Sequence, residues 1–114
     1  MTILSPNVKD LGKDERIRPL SKRISDTNPA ILLLQETMCP ASIAIEIIAN
    51  LLPGWELSTV ITSGLSGGLL SCWNPKFFQL NPFKTDWGIV LEGKLGFIDF
   101  DVTILNMYAP CKNT

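Results

Sequence analysis

The chain has 114 residues, 46% of them hydrophobic and 18% charged, with a net charge of −1 and no histidine. That balance describes one core-forming domain or part of one, and it excludes a disordered chain. A near-neutral charge leaves any polyanion contact to a local patch, and without histidine an imidazole base or a histidine-ligated zinc is excluded for this chain acting alone.

Thr2 to Leu4 begins a short strand, which Pro6 interrupts by removing a backbone donor. Residues 11–29 are polar, with Ile17, Leu20 and Ile24 at helical spacing, so they read as a surface helix with one apolar stripe. Pro19 predicts a kink there, or a restart at a first-turn position, and Pro29 ends the segment. In "AILLLQET" (30–37) the run Ile31-Leu32-Leu33-Leu34 shows no alternation, which predicts a strand buried on both faces. Glu36 falls just past its end, where an ionised carboxylate is costly unless something positive compensates it.

"PASIAIEIIANLLPG" (40–54) starts on a proline, carries an apolar face and ends on Pro53-Gly54; it reads as a helix. Strands follow in "WELSTVIT" (55–62), "LLSCW" (69–73) and "NPKFFQL" (74–80), with "SGLSGG" (63–68) as a turn. "DWGIVLEG" (86–93) and "FIDFDVTILNMY" (97–108) complete the antiparallel candidates, with Glu92-Gly93-Lys94 as the expected turn. The order predicts an α/β layered fold whose helices cover a sheet. No repeat, low-complexity segment or linker divides it.

Cys39, Cys72 and Cys111 form neither a paired metal spacing nor a disulfide framework, which fits a reducing compartment. The first residues put a short apolar run before the charges, the wrong order for a secretory signal. No apolar run approaches the roughly 20 residues of a membrane helix. A nuclear or cytoplasmic location and no membrane contact are therefore expected.

Four places carry chemistry: Glu36; Asn7, whose amide could orient a carboxylate or a water; the glycines of 63–68; and "ILNMYAPCKNT", which delivers Asn106 and Tyr108 to a strand end. Asn106 and Tyr108, two apart, share a face with Val102 and Ile104. Each alone has an ordinary explanation. Most carboxylates are solvated, Asn beside Pro is a common turn choice, and a strand-end Tyr usually packs with its hydroxyl in water. The glycine segment lacks the lysine of a phosphate loop and precedes a strand rather than a helix.

In this order, Asn7 after a strand, "ILLLQET", "SGGLLSCWNP" and "TILNMYAPCKN" resemble the endonuclease/exonuclease/phosphatase superfamily, in particular the apurinic-endonuclease-like domain of plant LINE-type (non-LTR) retrotransposons. The resemblance implies an α/β fold, with residues 1–114 forming the N-terminal half of a four-layer α/β-sandwich. It also implies that Glu36 is a ligand of Mg²⁺, or of Mn²⁺ in its place, with Asn7 in the same metal cluster. Tyr108 would contact the scissile phosphate and Asn106 would help hold the site. The chain departs from that pattern at Pro6, where the retrotransposon branch has tryptophan, and at Lys9-Asp10-Leu11, where it has "RGL". The family's water-activating Asp, its Asp-x-Asn pair and its terminal Asp-His pair have no counterpart here. The implied function is a truncated Mg²⁺-dependent endonuclease or phosphodiesterase of retrotransposon origin, inactive alone. DNA is then the partner of the full-length parent, bound weakly or not at all by this chain. A fragment of a phosphatase of the same superfamily, or a non-catalytic interaction module, are the alternatives.

Overall fold

In the computed structural model, which describes residues 2–60, 68–96 and 98–108, two sheets face each other and two helices cover one of them. Most of the expected 63–68 turn, Cys111 and the end of "YAPCKNT" lie outside the described residues. The first sheet begins with β1 (Ile3–Leu4), which crosses through α1 (Asp14–Thr27) to the parallel strand β2 (Ile31–Gln35). α2 (Ala41–Leu51), β3 (Glu56–Val60) and β4 (Leu69–Trp73) follow, giving the order β1-β2-β4-β3 with β4 antiparallel to both neighbours. β5 (Phe78–Thr85), β6 (Gly88–Leu95) and β7 (Phe100–Met107) form the second sheet as an antiparallel meander.

The unalternating run of β2 has its physical reason in this layering. Leu32 and Leu34 face the helices and pack with Leu20, Ala44 and Ile48. Ile31 and Leu33 face the second sheet and pack with Phe78, Ile89 and Leu91. A strand covered on both faces has no polar side to write into its sequence.

α1 runs through Pro19 without a break. The donor that proline lacks would have met the Glu15 carbonyl, and both residues are exposed, so water can take its place. α1 ends at Asn28, whose left-handed backbone (φ 46°) lets its N–H reach the Ile24 carbonyl at 2.9 Å.

Glu92-Gly93-Lys94 is not a turn. The three residues lie inside β6, where Gly93 pairs with both Leu80 and Val102. A Cβ at position 93 would run into the backbone of Gln79 and Leu80, so this glycine marks a close approach between strands. The chain reverses instead at Asp86-Trp87, where Thr85 Oγ1 accepts the Gly88 N–H at 3.0 Å, and again after Leu95.

The outer face of the second sheet carries the cross-strand row Phe83–Val90–Leu105. Phe83 and Leu105 are 52% and 48% exposed, so the described residues leave this face open. No helix among the described residues is long and apolar enough to cross a membrane.

Cys39 and Cys72 are free thiols. Burial pushes the Cys72 thiol from its ordinary 9.0 up to about 12, against a smaller lowering by a hydrogen bond with the Leu32 backbone. A folded-state value above the unfolded one gives stability that is complete below pH 9 and lost as pH rises toward about 12. Wild type is therefore expected to lose about 2 kcal/mol more than Cys72→Val between neutral pH and about pH 10.5. Urea unfolding of both proteins at the two pH values checks this; parallel losses would assign the alkaline instability to other groups.

Candidate functional site

The site assembles at the end of the first sheet where β2 stops. Pro6 removes one ladder donor, yet the parallel pairing keeps its offset: Ile3 opposes Ile31, Leu4 opposes Leu32, and Asn7 then bridges to Gln35. The proline interrupts the ladder without shifting it, and Asn7 comes to lie beside the residue that precedes Glu36. Beyond that bridge, the Asp10 N–H donates to the Glu36 carbonyl (3.0 Å) and the Leu11 N–H to the Thr37 carbonyl (2.8 Å). The Thr37 N–H in turn donates to the Gly68 carbonyl at 3.3 Å, tying the start of β4 to the same point.

The backbone here is strained. Asp10, Glu36 and Met38 have φ of 58°, 56° and 49°, the left-handed region that non-glycine residues enter at a cost of about 1–3 kcal/mol each. The strained loop holds one Glu36 carboxylate oxygen, Oε2, buried and without a hydrogen-bond partner. An unpaired buried carboxylate oxygen is expensive, and a hard cation is the partner whose chemistry satisfies it. Glu36 therefore fits as one ligand of a Mg²⁺ or Mn²⁺ ion. Among the described residues no group of three or more His, Cys, Asp or Glu side chains gathers to complete a site.

Asn106, which the resemblance puts in the catalytic set, is 1% exposed. Its Nδ2 donates to the Leu70 carbonyl and Ser71 Oγ, both at 3.0 Å, and more weakly to the Leu34 carbonyl at 3.4 Å. Its Oδ1 accepts from Gln35 Nε2 at 2.8 Å. With both ends of the amide engaged, Asn106 is a clasp from β7 across to β2 and β4. Tyr108 follows on the same face, half-buried against the core between the sheets, with its N–H donating to the Trp87 carbonyl at 3.0 Å.

Gln35 and Ser71 were not singled out from the sequence. Gln35 joins the two sides of the site by donating to Asn106 and, at 3.4 Å, to Ser5 Oγ. The signal available for it was a long amide at the last position of an apolar strand, where a buried polar group needs a partner. Ser71, fully buried among leucines, gave a similar signal. The Asp10 carboxylate lies 3.7 Å from Lys13 Nζ. The Cys39 thiol nearby is raised by burial and, secondarily, by the Asp10 charge, which leaves it a poor nucleophile.

Chemically, Glu36 can take a hard cation, and the exposed Asn7 amide can hydrogen-bond a phosphate oxygen.

No protein-family model and no curated protein matches the sequence. Solved structures do match the fold. An AP endonuclease from Leishmania major superposes with a TM-score of 0.68 at 12% identity, over 93% of this chain and 39% of that one. Truncated TDP2 from Caenorhabditis elegans gives 0.64 at 18% identity, over 97% and 47%. ANGEL2, a 2′,3′-cyclic phosphatase, gives 0.53 at 19% identity, over 79% and 35%. At such identities the likeness is one of fold, the α/β two-sheet fold of the endonuclease/exonuclease/phosphatase type. The chain spans less than half the length of each.

Proposed function

We propose that this chain is the metal-binding and phosphate-binding part of a phosphodiester hydrolase of the nuclease type, with retrotransposon ancestry of the LINE kind. The observation that carries the reading is Glu36: a strained backbone presents a buried, unpaired carboxylate oxygen at the end of a strand covered on both faces. Strain and an orphaned polar atom at one point mark a place where stability has been given up for a ligand. Glu36 would hold the cation, with the Asn7 side chain beside it. When bound, the cation supplies positive charge against a phosphoryl oxygen. Tyr108 donates its hydroxyl to a phosphate oxygen. Asn106 and Gln35 hold the strands that carry these groups.

The chain has no histidine, and its described carboxylates form no cluster, so we expect no hydrolysis until a further segment supplies a base and the remaining ligands. A phosphatase of the same fold would use the same groups on a phosphomonoester, and a panel of substrates presented to the completed domain separates the two.

Metal binding tests the proposal without activity. Titrating Mn²⁺ into the labelled chain is expected to broaden the resonances of Glu36 and Asn7 first, and Glu36→Ala is expected to abolish that broadening. The same variant is expected to raise stability by about 1 kcal/mol, because it removes the unpaired oxygen. Broadening centred on exposed carboxylates such as Asp99 and Asp101, unchanged by the variant, would sink the assignment. Mg²⁺-dependent plasmid nicking by the purified chain, lost in Glu36→Ala, would overturn the expected inactivity alone.

A further inference from the structure

We propose that the groove between the chain leaving β1 and the first three turns of α1 binds the phosphodiester backbone of a nucleic-acid strand, next to the strand end that carries Glu36. The kind of strand rests on the nuclease reading; the binding itself does not. The groove holds a cavity of about 150 Å³, and its lining includes Asn7, Lys9, Glu15, Arg16, Pro19 and Arg23. Three cations thus face one carboxylate, in a chain whose net charge is −1. Asn7 belongs both to this groove and to the backbone bridge with Gln35, the residue before Glu36, so the groove lies next to the strand end that carries Glu36.

The charges of α1 are sorted between its two sides. On the other side, Arg18 and Lys22 share a cavity with Asp14 and Asp26, and Lys22 Nζ pairs with Asp26 at 3.0 Å. Lys13 is taken by Asp10, and Lys94 by Asp99 and Asp101. Lys9, Arg16 and Arg23 make no ion pair among the described residues, and all three are exposed. Arg16 and Arg23 flank the buried Leu20 on one stripe of the helix, roughly 10 Å apart along its axis. That separation lets the two arginines contact different phosphates of one strand. Guanidinium groups engage phosphate oxygens in pairs, so two arginines and a lysine can hold such a strand without reading bases.

The test is fluorescence anisotropy of a fluorescein-labelled single-stranded oligodeoxythymidine with the 114-residue chain, in EDTA, across a salt series. The expected result is weak binding whose log affinity falls with log salt at a slope of about −2, as three neutralised phosphates give. Lys9→Gln, Arg16→Gln and Arg23→Gln are each expected to weaken binding several-fold and flatten the slope by about 0.7, and the triple variant to abolish binding. Arg18→Gln makes the same charge change on the other side of the helix and is expected to leave affinity unchanged. Circular dichroism confirms that each variant keeps its helix. No binding at low salt, or an equal loss in Arg18→Gln, overturns the proposal. Equal and equally variant-sensitive binding to phosphatidylserine vesicles also overturns it, in favour of a lipid surface. Loss of the Mn²⁺ effect at Glu36 with groove binding intact would refute the hydrolase reading alone.

Discussion

Asn106→Asp is expected to cost roughly 3–5 kcal/mol at neutral pH, although it changes the side chain's shape hardly at all. The native amide donates to the Leu70 carbonyl and Ser71 Oγ at 3.0 Å and accepts from Gln35 at 2.8 Å. A carboxylate there keeps the bond from Gln35 but faces backbone carbonyls with a negative charge, in a place that is 1% exposed. A chain of this size has about 5–15 kcal/mol to lose, so the variant should stand near the edge of folding. Its carboxyl would be held above the ordinary carboxylate range by burial, so the deficit should shrink on acidification, as the proton goes on and a donor is partly restored. Urea unfolding at neutral and mildly acid pH measures both. A variant within 1 kcal/mol of wild type, or one that worsens on acidification relative to it, would show that the clasp between the sheets is not where stability resides. Asn106→Ala should also lose about 3 kcal/mol, by removing the amide's hydrogen bonds with Leu70, Ser71 and Gln35 and opening a cavity.

Ile31→Ala and Leu32→Ala, side by side on β2, are each expected to cost about 3 kcal/mol. Both side chains are fully buried, Ile31 in the core between the sheets and Leu32 in the core under the helices. In a strand with one wet face, neighbouring residues differ sharply in cost, because one of the two loses only solvent contacts. Thermal unfolding of the two variants, with falls in Tm of roughly 12–24 °C, decides between the arrangements. If one of the pair is nearly neutral, one of the two covering layers does not hold.

What was legible in the sequence follows the range of the forces involved. Ile31–Gln35 could be read as doubly buried because an unalternating apolar run has few other solutions, and the helix from Ala41 to Leu51 because Pro40 and Pro53-Gly54 bracket it. The turn assigned to Glu92-Gly93-Lys94 failed because a glycine between charged residues looks the same locally whether it bends the chain or lets two strands approach. Pro19 was legible as a disturbance, but an exposed carbonyl that water can satisfy lets the helix continue through it.

Glu36 stood out because an ionised group after a buried strand is costly wherever the chain goes, a property of the residue and its immediate neighbours. The absence of histidine limits the chemistry in the same local way. By itself, then, the sequence determined the helix between its prolines, the double burial of one strand and the residue types on offer. Only the tertiary structure decided that the strands split into two sheets, that Asn106 engages both ends of its amide as a clasp, and that Asn7 meets Gln35 in register beyond a proline. It also decided that Lys9 joins Arg16 and Arg23 around one groove. Each of these depends on hydrogen bonds and charges between residues far apart in the chain. Their partners are chosen when loops close and layers pack, which no local pattern of side chains encodes.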